Sequence, residues 1–332
     1  MKYGIWRHEN SIGNSAEHVI GLCKHLARNP DPDAEIFVET EFQRWFAMCI
    51  PHVKPENVKI FPLPNMASMS DQKIYEHAFF TDVVMPSCYP FRSTYPATWT
   101  DLAKSPDVTL KFPEEVYDIN PDLPTGAIVF HIREKGTYNK RFVGSQEESE
   151  RFNNPEIFIP LLLELAERGY KLVRVGDKNQ TPLPEHENIL DFALNGTGKI
   201  EDELYMIANS KLFISTDSGI WPMVAGMKKK LLFTNVTSPY TNMTEKIDVK
   251  DRKFSEVPDR IELESEEDEK RYIEAAIPVS KMKLDIVRWV PLKTTKLLFK
   301  RFVWTEDKEQ GSLFATPPKE MIYWALKMLG DI

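Results

Sequence analysis

Ala127-Ile128-Val129-Phe130-His131-Ile132-Arg133-Glu134-Lys135-Gly136 begins as an unbroken apolar run and ends in charge. A run this short, entered through Gly126 and left through Arg133 and Glu134, reads as a strand buried on both faces, as strands of helix-covered parallel sheets are. Working outward toward the C-terminus, Pro155 to Arg168 has the spacing of an amphipathic helix, and Gly169 is placed to end it. Strands are expected at Lys171 to Val175, Asn188 to Phe192, Lys211 to Ser215 and Lys230 to Thr234, with a helix at Ile200 to Ala208 and a helix start at Ile220 to Ala225. Such β-α-β-α alternation predicts a doubly wound parallel sheet with its ligand site at the carboxyl ends of the strands.

The region before residue 120 repeats the pattern more loosely. Tyr3 to Trp6 is a short apolar start, Arg7 to Asn14 a polar loop, and Ala16, Val19, Ile20, Leu22, Cys23 and Leu26 fall on one helical face. After the break Asn29-Pro30-Asp31-Pro32-Asp33, Ala34 to Val38 reads as a strand, so a parallel β-α-β unit is expected. Residues 42–50 and Asp71 to Phe80 look helical, and Val58 to Pro62 and Asp82 to Met85 strand-like. Prolines crowd residues 51–113, which reads as loops ending in the linker Asn120-Pro121-Asp122-Leu123-Pro124. The fold class is therefore α/β, with two Rossmann-like doubly wound domains facing a cleft. The boundaries expected are 1–122, 125–260 and a C-terminal helical extension, 261–332, packing back on the N-terminal domain.

The extension carries its own pattern. An acidic run at Glu262 to Glu269 is followed, from Lys281 to Arg301, by seven basic residues and one acid, Asp285. Trp289, Leu292, Leu297, Leu298, Phe299 and Phe302 interleave with that basic segment. One reading is a surface for anionic lipid or an acceptor polymer; the other is an ordinary basic segment on a packed C-terminal element. Pro318 to Leu329 reads as a final helix.

Composition narrows the chemistry. The 332 residues include 24 Pro but only 14 Gly, where typical usage gives roughly 17 and 23. Neither G-x-G-x-x-G nor G-x-x-x-x-G-K-[ST] occurs, which excludes the usual NAD-type fingerprint and the P-loop. A net charge of -8 argues against nucleic acid as a partner. Cys23, Cys49 and Cys88 lack metal-ligand spacing, no apolar run approaches a membrane span, and no signal peptide is recognisable, so the expectation is a cytoplasmic protein. No metal is expected. Asp31-Pro32-Asp33 has D-x-D form, but it follows a helix and precedes a strand and reads as a turn.

Three strand ends carry candidate ligands. His131 and Arg133, with Lys135 beyond, stand at the end of the first strand described above, where Arg can grip phosphate oxygens bidentately; the plain alternative is a charged strand end. Ser215-Thr216-Asp217-Ser218-Gly219 runs from a buried strand into an apolar helix, where hydroxyls and free N–H groups could hold a diphosphate. The plain alternative there is an N-cap by Asp217 or Ser218. Gly176 and Asp177 follow another strand and suit a nucleoside approaching the main chain, or a simple turn.

Val129-Phe130-His131-Ile132-Arg133-Glu134, Arg151-Phe152-Asn153-Asn154, Val173-Arg174-Val175-Gly176-Asp177 and Phe213-Ile214-Ser215-Thr216-Asp217-Ser218-Gly219 together resemble, in that order, a family of bacterial glycosyltransferases of surface-polysaccharide loci. Ser11-Ile12-Gly13-Asn14-Ser15-Ala16-Glu17 resembles that family's opening loop, which usually has His in place of Asn14. The resemblance spans about residues 3–240 and implies the GT-B architecture, with a nucleotide-sugar donor on the C-terminal domain and the acceptor on the N-terminal one. His131-Ile132-Arg133 is similar to the His-x-Arg-Arg signature of GDP-fucose-dependent transferases, with Glu134 in place of the second Arg. Asp217-Ser218-Gly219 resembles the donor loop of ADP-heptose transferases.

The resemblance implies transfer of a hexosyl, deoxyhexosyl or heptosyl group from a nucleotide-diphosphate donor to a hydroxyl of a cell-surface glycan precursor. No cofactor beyond that donor substrate is implied. A glycan or lipid-linked acceptor and peripheral contact with the inner membrane follow as expected partners. Glu17 is the first candidate for the base that deprotonates the acceptor and His8 the second, with Gly13 and Asn14 beside the substrate. A nucleotide-sugar epimerase of the same architecture and a noncatalytic nucleotide- or glycan-binding protein are the alternatives. An epimerase would turn over donor with no acceptor present.

Overall fold

The computed structural model describes residues 2–4, 16, 19, 20, 22, 23, 25–27, 29–38, 40–60, 82, 83, 109–134, 153–216, 218–236, 294–299, 301–304 and 311–332. Contacts divide the chain into two units. One comprises Met1–Leu123, Ile200–Ala208 and Gly219–Lys228; the other comprises Pro124–Lys199, Asn209–Ser218 and Lys229–Ile332.

The first unit is built on a parallel sheet of β1 (Lys2–Gly4), β2 (Glu35–Val38), β3 (Val58–Ile60) and β4 (Asp82–Val83), in the order β3-β2-β1-β4. Helical residues at Ala16, Val19, Ile20, Leu22 and Cys23 are all buried, as the sequence spacing requires. The turn at Asp31 closes through its own carboxylate, which accepts from the Asp33 N–H at 3.2 Å. Helix α1 (Glu41–Met48) starts where Thr40 accepts from the Gln43 N–H at 3.2 Å, an N-cap that satisfies one of the helix's free donors. The helix expected at Asp71 to Phe80 lies outside the described residues.

The second unit holds a six-stranded sheet: β5 (Ile128–His131), β6 (Leu172–Arg174), β7 (Ile189–Asp191), β8 (Leu212–Ser215), β9 (Leu231–Val236) and β10 (Thr295–Phe299). All its pairings are parallel, and the order is β7-β6-β5-β8-β9-β10. In chain order this is 3-2-1-4-5-6, the doubly wound arrangement, and it reverses direction between β5 and β8. Ile128, Val129 and Phe130 are buried, so β5 is central and covered on both faces.

Helix α2 (Ile159–Glu167) follows a 3-10 turn at Pro155–Phe158 and ends in a Schellman motif. Gly169, at φ +84°, donates to the Ala166 carbonyl at 2.9 Å, and the Tyr170 N–H reaches the Leu165 carbonyl at 3.1 Å. A one-turn α3 (Phe192–Asn195), α4 (Ile200–Ala208), α5 (Trp221–Gly226) and α6 (Pro318–Leu329) complete the described helices.

The tail departs from expectation. Thr295–Phe299, inside the stretch read as a helical extension, is the edge strand β10, and β11 (Arg301–Trp304) pairs antiparallel with β12 (Gly311–Phe314). Leu298 is buried in the core while the Lys296 ammonium lies 3.4 Å from the Trp324 ring centroid. Met321, Ala325 and Leu326 of α6 join Ile128, Phe130 and Leu165 in the core of the second unit. The Lys230 ammonium donates to the Met328 carbonyl at 2.6 Å, tying the helix to the start of β9. No helix among the described residues is long and apolar enough to cross a membrane.

Candidate functional site

The carboxyl ends of β5 and β8 meet at the point where strand order reverses, the place where doubly wound sheets leave a crevice for ligands. His131 and Ser215 are register partners across that point. Past the strand ends the pairing continues: the Thr216 N–H donates to the His131 carbonyl at 3.2 Å, and the Arg133 N–H donates to Thr216 Oγ1 at 2.8 Å. The Arg133 carbonyl accepts from the Asn153 N–H at 2.9 Å. The main chain of Arg133 is thus fixed on both sides, and its side chain is only 3% exposed.

The hydroxyls of β8's exit turn inward. Ser215 Oγ donates to the Thr216 carbonyl at 2.8 Å and lies 3.0 Å from Ser218 Oγ, and Thr234 Oγ1 donates to the Ser215 carbonyl at 3.4 Å. Ser215, Thr216 and Ser218 are all buried, so they brace the turn. The helix expected to begin beside them is α5, six residues long with Ile220 as its N-cap and no capping side chain. Ser218 therefore caps nothing there, and Gly219 lies in the turn before it. Asp217 and Lys135 lie outside the described residues.

On the other side of β5, the β6 exit contributes Gly176 and Asp177. Gly176 has φ +130°, and a Cβ at that position would stand 2.4 Å from Gln180 Nε2 and 2.8 Å from His131 Cδ2. Only glycine lets the main chain pass so close to the imidazole. Asp177 Oδ1 accepts from the Asn179 N–H at 2.7 Å, so its carboxylate closes an Asx turn. Burial, reinforced by the Arg133 charge, pushes the His131 imidazole down to about 4, against an opposing pull from Asp177. The ring is neutral at pH 7, and its Nδ1 is buried with no hydrogen-bond partner.

Sequence reading missed the group beneath these residues. Arg174, fully buried in β6, donates Nε to Asp191 Oδ1 at 2.9 Å and Nη2 to Asp191 Oδ2 at 2.5 Å. Its Nη1 reaches the Thr181 carbonyl at 2.6 Å and Glu134 Oε1 at 3.5 Å, and Glu134 Oε2 accepts from the Thr181 N–H at 2.8 Å. The available signal was an arginine inside the apolar run Leu172-Val173-Arg174-Val175, since a buried charge demands a partner. Gln180, 6% exposed with Oε1 unpartnered, and Asn235 gave no such signal. Asn235 is buried at φ +54°, and its Oδ1 accepts from the Thr316 N–H at 2.6 Å.

In the first unit, β1 ends at Gly4 between β2 and β4, again where the strand order reverses. The candidates His8, Gly13, Asn14 and Glu17 follow it in the chain but lie outside the described residues. Among the described residues no three His, Cys, Asp or Glu side chains cluster as a metal site would need.

No protein-family model matches the chain, and no curated protein matches it. Among solved structures the chain is similar to E. coli heptosyltransferase WaaC with ADP, at 13% identity and a TM-score of 0.41, over 72% of this chain and 89% of that one. It is similar to E. coli ADP-heptose LPS heptosyltransferase II at 12% identity and a TM-score of 0.41, over 70% and 83%. A third likeness is to the iron-containing dodecameric glycosyltransferase TibC of enterotoxigenic E. coli, at 10% identity and a TM-score of 0.38, over 70% and 57%.

Proposed function

We propose that the chain is a metal-independent glycosyltransferase of GT-B architecture that moves a sugar from a nucleoside-diphosphate donor to a hydroxyl of a cell-surface glycan precursor. The observation that carries the reading is the convergence of His131, Arg133 and the Ser215-to-Ser218 turn at the β5/β8 switch of a 3-2-1-4-5-6 sheet. A parallel sheet with this order presents its ligand crevice there, and a fixed arginine is suited to a diphosphate. The adjoining Gly176 turn, whose main chain carries no side chain of its own and runs against His131 and Gln180, would take the nucleoside.

In the transfer, the bond from the sugar's anomeric carbon to the diphosphate oxygen breaks as the acceptor oxygen bonds to that carbon. The electron pair leaves with the nucleoside diphosphate. Arg133, with Lys135 and the N–H groups about Gly219, meets the charge that develops on the leaving group. The acceptor's proton passes to a carboxylate or imidazole, Glu17 first and His8 second, in the segment that also carries Gly13 and Asn14. Thr216 keeps Arg133 in register, and the neutral His131 supplies a hydrogen-bonding group without adding charge. The protein works in this reading in the cytoplasm, where nucleotide sugars serve as donors, against a glycan or lipid-linked acceptor at the inner membrane.

The test is a thermal-shift screen of the full chain against UDP, GDP, ADP and CMP, followed by isothermal titration of the tightest ligand with wild type and Arg133→Ala. Binding raises stability by RT ln(1 + [L]/Kd). The expected result is a stabilising nucleoside diphosphate whose binding disappears in the variant while the unliganded variant still unfolds cooperatively. Unchanged affinity in Arg133→Ala would overturn the assignment.

A further inference from the structure

Two carboxylates share the buried Arg174 guanidinium, and they are not equivalent. Asp191 receives two of its hydrogen bonds at the end of β7 and also caps α3 through the Leu194 N–H at 3.4 Å. Glu134, 5% exposed, receives one long contact from Arg174 at 3.5 Å and spends its other oxygen on the Thr181 N–H at 2.8 Å. Thr181 follows Gln180 in the loop that begins at Gly176, the loop whose main chain lies against the His131 ring. Glu134 is also one peptide bond from Arg133, whose own N–H and carbonyl are held by Thr216 and Asn153. One side chain therefore crosses from the exit of β5 to the exit of β6, while its neighbour is pinned to the exit of β8.

We infer that Glu134 is a positioning residue that clamps the 176–181 loop to the Arg133 segment, setting the spacing between the nucleoside turn and the diphosphate-binding arginine. The inference rests on the proposed nucleotide-sugar reading for its functional consequence, and on geometry alone for the clamp. Charge neutralisation of Arg174 is common to both carboxylates; the main-chain bond to Thr181 belongs to Glu134. Removing Glu134 frees the Thr181 N–H and leaves the loop held at that residue by Arg174 Nη1 on the Thr181 carbonyl at 2.6 Å, whereas removing the Asp191 charge weakens the β6–β7 edge and leaves both Thr181 bonds in place. The isosteric Gln keeps an oxygen for the Thr181 N–H, so it preserves the tether without the charge.

The experiment compares Glu134→Ala, Glu134→Gln and Asp191→Asn in the full chain, by hydrogen exchange at Thr181 and by titration with the nucleoside diphosphate that stabilises the wild type most. Expected are a loss of Thr181 protection of at least tenfold and a Kd raised at least tenfold in Glu134→Ala. Glu134→Gln and Asp191→Asn should keep both within about twofold, although Asp191→Asn lowers the melting temperature. Equal loss of Thr181 protection in Glu134→Ala and Asp191→Asn, or an unchanged Kd in Glu134→Ala, overturns the inference. Should Glu134→Ala fail to fold, Glu134→Met removes the acceptor for the Thr181 N–H at similar volume while Arg174 keeps Asp191 and the Thr181 carbonyl, and it carries the same comparison. A wild type that binds no nucleoside diphosphate sinks the parent reading, and selective loss of Thr181 protection in Glu134→Ala still supports the clamp.

Discussion

Gly176→Ala is expected to cost the protein about 4 kcal/mol, and the figure has two separable parts. The first is conformational: φ +130° lies in a region L residues rarely adopt, and holding a side chain there costs about 1–3 kcal/mol. The second is steric. The added Cβ would stand 2.4 Å from Gln180 Nε2, 2.8 Å from His131 Cδ2 and 3.0 Å from His131 Nε2. The Gln180 amide is the far end of a flexible chain and can swing away. The imidazole cannot, because His131 ends β5 and is paired with Ser215 on β8. Forcing a packed ring aside adds about 1–3 kcal/mol. Gly169→Ala is the control, because its φ of +84° also disfavours Ala but nothing stands within 4 Å of the new methyl; it should cost only about 1–2 kcal/mol. Urea unfolding of the two variants beside wild type measures the difference. If Gly176→Ala is no less stable than Gly169→Ala, the close approach of the loop to His131 is refuted.

Two further perturbations test the same region. Arg174→Met leaves the Asp191 and Glu134 carboxylates and the Thr181 carbonyl without their guanidinium, a loss of about 3–5 kcal/mol in urea unfolding, whereas Arg174→Met/Glu134→Gln/Asp191→Asn should recover most of it. A single variant within about 1 kcal/mol of wild type would show the cluster to be idle. His131 titrates near 6.5 when unfolded and near 4 in the folded chain, chiefly through burial and then through Arg133. The unfolded state therefore takes up the proton first as pH falls, so this group destabilises the fold progressively from about pH 6.5 down to about 4, by at most about 3 kcal/mol. Unfolding curves of wild type and His131→Gln should run parallel above pH 7 and converge or cross below it; parallel curves throughout would contradict a buried neutral ring.

The second sheet was legible because burial on both faces favours continuous apolar runs. Ile128-Val129-Phe130, Leu172-Val173 and Leu212-Phe213-Ile214 announce themselves as continuous apolar runs, and the Gly169 stop is written in a single residue. Helices α4 and α6 fall on the residues that their periodicity marks, Ile200–Ala208 and Pro318–Leu329. The edge strand β10 was not legible. An edge position buries Leu298 while Lys296 covers Trp324, and mixed basic and apolar residues look the same in a strand, a solvated helix or a membrane-facing segment until the pairing partner is known. The inward turn of Ser215 and Ser218 was equally hidden. A hydroxyl after a buried strand can face a ligand or its own turn, and only the tertiary fold says which.

Arg174 shows where more could have been drawn from the sequence. An arginine in an apolar strand cannot stay unpaired, because the cost of a bare buried charge exceeds the stability of most domains. Doubly wound topology limits where its partners can come from. The neighbours of β6 are β5 and β7, and the register puts Phe130 and Asp191 opposite Arg174. Glu134, a few residues beyond Phe130 on the β5 exit, and Asp191 are the acids within reach, and they are the ones used. The same logic favours an acid at position 134. A cation at that position would meet Arg174 with nothing to separate them, whereas a carboxylate both neutralises it and takes the Thr181 N–H. A chain with few glycines thus holds the turns at its strand exits by side-chain hydrogen bonds to main chain, Glu134 taking the Thr181 N–H beyond β6 and Thr216 taking the Arg133 N–H beyond β5.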